Sequence, residues 1–66
     1  MRLTVNGKPR EVEGPVSLVE FLEASGVNIQ FIAVAYNGEV LERERFSSIT
    51  LQEGDDLELV RPVGGG

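Results

Sequence analysis

Met1, Leu3 and Val5 alternate with Arg2 and Thr4 at the start of the chain, a period of two that predicts a strand with one apolar face. Asn6-Gly7, the dipeptide best suited to a tight hairpin, follows, so two antiparallel strands are expected over about 1–6 and 9–13. Gly14-Pro15 then interrupts the pattern, and the period changes. In "PVSLVEFLEASG", Leu18, Phe21, Leu22 and Ala24 or Ser25 fall at helical spacing, while Glu20 and Glu23 take the opposite side. Ser17 is placed to cap this helix, Glu20 to close the capping box, Val16 to pack against Phe21 and Gly26 to end it.

An apolar run in "FIAVAY", the turn dipeptide Asn37-Gly38 and then Val40 and Leu41 predict a buried strand, a turn and a short edge strand. Ile49 and Leu51 are expected to plug the core ahead of an acidic turn at Glu53-Gly54-Asp55. Leu57 and Leu59 alternate with Glu58 and Val60 in a last strand that Pro62 ends, because proline has no N–H for a sheet ladder. The order strand, strand, helix, strand, strand, strand predicts an α+β fold: one mixed sheet of about five strands, with a single main helix on one face. A helix that joins two parallel strands crosses over right-handedly, so the sheet grasps it. Leu3, Val5, Leu22, Val34, Leu57 and Leu59 are the expected core, and alternation assigns Ala33, Ala35, Glu58 and Val60 to the open face, beside Arg61 and Pro62. Residues 1–62 are read as the domain and 63–66 as a glycine-rich tail.

Composition narrows the chemistry. The 66 residues include no cysteine and no histidine, which excludes a disulfide framework, a zinc site of the usual kind, a thiol nucleophile and an imidazole base. Eleven acidic against six basic residues give a net charge of -5, which opposes binding to a phosphate backbone. Nucleic acid and membranes are therefore not expected partners, and the absence of an export signal points to the cytoplasm. The acidic surface either steers the protein to a basic patch on another protein or keeps a small domain in solution.

The candidate sites within the domain are weak. Glu53, Asp55 and Asp56 offer hard oxygen ligands but lack the alternating carboxylates and bidentate glutamate of a calcium loop, so a turn is expected and no metal. Ser47 and Ser48 have no histidine to activate them, and turn or capping duty suits them better. The charges of "ERERF" read as a solvated face or as a basic anchor for a partner. That leaves the tail. The four residues beyond Pro62 span at most about 13–14 Å when extended, enough to carry a carboxylate inside another protein.

The segments "MRLTVNG", "SLVEFLEASG", "AVAYNGEVL", "EGDDLELV" and the terminal Gly65-Gly66 together resemble the ubiquitin-like β-grasp proteins, and among them the ThiS family of thiamine-biosynthesis sulfur carriers. The resemblance implies a protein that is a substrate of other enzymes and not itself an enzyme. A ThiF-like adenylating enzyme would use ATP to activate Gly66, a persulfide-bearing enzyme would supply sulfur to give a terminal thiocarboxylate, and thiazole synthase would receive that sulfur. It also implies that Gly64 and Gly65 thread into the partner, where the lack of a Cβ lets the backbone approach closely. No bound cofactor is expected. Carriers for molybdopterin or tRNA thiolation, ubiquitin-like modifiers and noncovalent interaction domains are the alternatives.

Overall fold

The computed structural model describes residues 1–61. Two hairpins flank a central strand. The first is β1 (Arg2–Val5) with β2 (Lys8–Glu11), and the second is β4 (Ala33–Tyr36) with β5 (Glu39–Val40). Between them runs β7 (Asp56–Val60), parallel to β1 and antiparallel to β4, which makes a five-stranded mixed sheet of order β2-β1-β7-β4-β5. Helix α1 (Leu18–Ala24) lies in the connection from β2 to β4. Those two strands run in the same direction, as expected for strands joined by a helix.

Both hairpins turn on Asn-Gly. Asn6 and Gly7 have φ of 52° and 80°, and Asn37 and Gly38 have φ of 50° and 87°, the left-handed pair that a tight hairpin demands and that asparagine and glycine reach at least cost. The two asparagines also clamp the central strand. Asn6 Oδ1 accepts the Leu59 N–H at 2.7 Å, near the end of β7, and Asn37 Oδ1 accepts the Asp56 N–H at 2.8 Å, at its start. The dipeptides are thus a pair of turns in the sequence and a pair of clasps in the fold.

Helix α1 begins and ends as its sequence predicts. Ser17 Oγ accepts the Glu20 N–H and Glu20 Oε1 accepts the Ser17 N–H, closing the capping box. At the other end the Gly26 N–H donates to Glu23 O and the Val27 N–H to Leu22 O, with Gly26 at φ 79°, which is a Schellman stop. The buried stripe of the helix is Leu18, Phe21 and Leu22, and it meets the inward row of the sheet formed by Leu3, Val5, Val34 and Leu57. Leu59 shares that row but is only partly buried, because it sits next to the end of β7. Ile32, Leu41, Phe46 and Leu51 complete the core.

Two features go beyond the expected order. Val16–Ser17 (β3) pairs with Thr50–Leu51 (β6) in a separate two-stranded sheet that ties the helix entry to the segment before the last turn. The charged stretch folds as a 3-10 helix, Arg43–Ser48, which buries Phe46 and whose Ser48 Oγ donates to Arg45 O in a local turn bond. The first hairpin, four residues in each strand, is shorter than its expected limits. Among the described residues no helix is long and apolar enough to cross a membrane.

The acidic turn encloses a polar node. Asp55, only 8% exposed, accepts Tyr36 Oη at 2.7 Å, Asn37 Nδ2 at 3.2 Å and the Gln52 N–H at 2.8 Å, so its carboxylate is paid back in hydrogen bonds for the water it gives up. The hydrogen bond to Asp55, together with burial and the carboxylate charge, raises the Tyr36 pKa from 10.0 to about 12. No group of acidic residues that could hold a metal ion occurs among the described residues.

Two outcomes are expected. Leu57 is fully buried in the central strand, so Leu57→Ala lowers unfolding free energy by about 2–5 kcal/mol, measured by urea denaturation, a large share of the stability of so small a domain. Tyr36 is the single tyrosine, and its ultraviolet tyrosinate band should titrate near pH 12 in the native protein, as against about 10 in the urea-unfolded chain. Because the folded value lies above the unfolded one, the stability that this proton confers is complete below about pH 10 and is lost as pH rises toward 12. Tyr36→Phe should flatten that alkaline loss.

Candidate functional site

The tail and its root are the candidate site, and the root is built by the central strand. Every second residue of β7 faces away from the helix. The register sets Ala33 opposite Val60, and Ala35 between Glu58 on β7 and Val40 on β5. All four residues assigned to the open face by alternation therefore lie together on adjacent strands. Ala33, Glu58 and Val60 are exposed and Ala35 is half-buried. Arg61, exposed, follows Val60 as the last described residue, while Pro62 and Gly64, Gly65 and Gly66 lie outside the described residues.

Exposed apolar surface gathers at this end of the sheet. Val60 is 60% exposed and Phe31 63%, and the two line one depression, so they form a shared apolar patch and are not isolated exposed residues. Phe31 belongs to a 3-10 turn, Ile29–Phe31, which Asn28 caps by accepting the Gln30 N–H at 3.0 Å and which delivers the chain into β4. A shallow depression of about 410 Å³ is lined by Gln30, Phe31, Ile32, Ala33, Arg43 and Val60. A second, of about 220 Å³, lies across Phe31 and reaches Arg61. Val40, 75% exposed, extends the apolar row on the far side of Ala35.

Alternation found Ala33, Ala35, Glu58 and Val60 because strand geometry is local. It missed Phe31, Val40 and Arg43. The run "FIAV" reads as continuously apolar and so as the start of a buried strand, which gives no reason to place Phe31 outside, whereas the structure buries Ile32 and Val34 and turns Phe31 outward through the 3-10 turn. Val40 carried a usable signal, since a residue opposite Ala35 across an Asn-Gly turn must share its face.

Among the described residues, the open face offers small and apolar side chains, with Glu58 and the flanking cations Arg43 and Arg61, a composition that suits contact with another protein.

Known proteins place the chain. Its fold matches the crystal structure of the thiamine biosynthesis protein ThiS from Geobacter metallireducens with a TM-score of 0.86 and 45% identity, covering 100% of both chains. The sulfur carrier protein ThiS of Thermus thermophilus is 37% identical over 62 residues, covering 94% of this chain and 95% of that protein. A thiazole synthase from Paramagnetospirillum magneticum is 30% identical over all 66 residues, but the chain spans only 20% of that protein's length. The sequence matches the ThiS family over residues 3–66, the sheet has the ubiquitin-like β-grasp arrangement of that family's solved structure, and the chain belongs to the ThiS family.

Proposed function

We propose that this protein is a sulfur carrier for thiazole formation in thiamine biosynthesis, with Gly66 as the reacting residue. The observation that carries the reading is the near end-to-end match to a sulfur carrier protein, 94% of this chain against 95% of that one, together with a family match that runs through the glycines to residue 66. Thiazole synthase as the acceptor is supported by the thiazole synthase whose sequence contains a counterpart of the whole chain.

A carboxylate at neutral pH is a poor electrophile, because its negative charge repels a nucleophile and oxide is a poor leaving group. In the proposed cycle a Gly66 carboxylate oxygen attacks the α-phosphorus of ATP on a ThiF-like adenylating enzyme, and pyrophosphate leaves. The acyl carbon is then bonded to AMP. A persulfide sulfur from a donor enzyme displaces AMP, and cleavage of the resulting S–S bond by a thiol leaves the thiocarboxylate. Its sulfur is the nucleophile passed to thiazole synthase. ATP belongs to the partner, and this chain contributes the acyl group and the surface that docks it.

Glycines at Gly64 and Gly65 suit a segment that must enter a partner's channel, since neither presents a Cβ to the walls. Ordering each such residue costs about 1–2 kcal/mol, which offsets part of the docking energy and favours release to the next enzyme. Ala33, Ala35, Glu58, Val60, Arg61 and Pro62 form the proposed docking surface at the root of that segment.

Incubation with ATP, the adenylating enzyme and a persulfide donor should raise the intact mass by the replacement of one oxygen by sulfur. Deleting Gly65 and Gly66 should abolish that mass change and leave the melting temperature unaltered, because every described element lies before Arg61. Adducts with lysine-bearing proteins in place of the sulfur shift would instead identify a modifier. Val60→Asp adds a charge to a contact that loses water on docking, and is expected to weaken binding to a partner about tenfold or more without unfolding a residue that is 60% exposed.

A further inference from the structure

We infer that Arg43 is a positioning residue for the docking surface, holding Phe31 outward as the apolar knob that meets thiazole synthase. The inference rests on the carrier reading and concerns one contact within it. Arg43 stands in the second 3-10 helix, remote in sequence from the first, yet its Nη1 donates to Gln30 O at 2.5 Å and its Nη2 to Ile32 O at 3.4 Å. These are the carbonyls immediately before and after Phe31. A planar guanidinium that spans two carbonyls fixes the direction of the backbone between them, which a single ammonium does less well.

Three observations separate this from ordinary surface bonding. The bond to Gln30 O is solvent-exposed, so water would satisfy that carbonyl if the arginine were gone, and its effect is on geometry more than on stability. The residue it brackets is 63% exposed, while its neighbour Ile32 is 3% exposed, so the turn divides sharply into an anchored side chain and a presented one. Phe31 and Ile32 both line the two depressions, one with Val60 and Arg43 and the other with Arg61, and of the pair only Phe31 is exposed. An exposed aromatic side chain bordering two hollows suits an interface anchor.

Thiazole synthase is the occupant to which the surface is assigned, because the Paramagnetospirillum magneticum protein of that name holds a counterpart of all 66 residues in the same polypeptide.

The test is a double-mutant cycle. Binding to thiazole synthase from the same organism is titrated for the wild type, Phe31→Ala, Arg43→Ala, Arg43→Lys and the Phe31→Ala/Arg43→Ala pair, with the melting temperature recorded for each. Phe31→Ala and Arg43→Ala should each weaken binding about tenfold, and Arg43→Lys should fall between Arg43→Ala and the wild type. The double variant should bind no more weakly than Phe31→Ala, since Arg43 has nothing left to position. Multiplying losses in the double variant would mean that Arg43 touches the partner itself and would overturn the positioning role, as would unchanged binding of Arg43→Ala. Losses confined to the adenylating enzyme, measured in parallel, would overturn the assignment of the occupant. Failure of the carrier reading would show separately, as no sulfur mass shift in the wild-type protein.

Discussion

Strand β7 is held on both edges and at both ends, and most of what this protein is depends on that arrangement. It is the middle strand of the five, with β1 parallel on one side and β4 antiparallel on the other. Neither hairpin reaches the other without it. The side chains of Asn6 and Asn37 add hydrogen bonds to its Leu59 and Asp56 amides, so the two turns that shape the outer hairpins also set the register of the middle strand. A slip of one residue would break these bonds and turn Leu57 to solvent. The strand that is most constrained is also the one that leads to Arg61 and the tail.

That coupling suits the carrier role proposed above. In that role a terminal group handed between enzymes would have to reach into each of them, so the last residues would have to be slender, while its origin would have to sit at a fixed place on a surface that the partner recognises. Alternation along β7 serves the second of these needs. Leu57 and Leu59 bind the strand to the helix side, while Glu58 and Val60 mark the outer face just before the exit. Small residues at Ala33 and Ala35 keep that face low, and Phe31 rises at its border.

The buried carboxylate of Asp55 shows how a domain with little core stabilises a turn. Its desolvation is balanced by a tyrosine hydroxyl, an asparagine amide and a backbone N–H drawn from the second hairpin and from the turn itself. Asp55 is thus a structural node of the acidic turn. Next to it the Arg2 N–H reaches Glu53 Oε1 at 3.0 Å and the Gly54 N–H reaches Arg2 O at 2.8 Å, which fastens the same turn to β1. Apolar burial and polar bonding therefore converge on the two ends of one strand.

By itself the sequence determined what depends on neighbours a few residues apart. Ser17, Glu20 and Gly26 bound the helix because capping groups act within one turn, Asn6-Gly7 and Asn37-Gly38 make hairpins because their backbone preference is intrinsic, and the period of two placed Leu3, Val5, Val34 and Leu57 inside and Val60 outside. Much of the proposed docking face was legible in the same way. Only the tertiary structure decided that two-residue segments at Val16–Ser17 and Thr50–Leu51 pair, that asparagine side chains reach the central strand, that Asp55 is buried and that Arg43 brackets Phe31. Each of these joins residues well separated along the chain through a few hydrogen bonds. Such contacts leave no periodic trace in a sequence, because their energy comes from where the fold has already brought the groups and not from the preference of either residue alone.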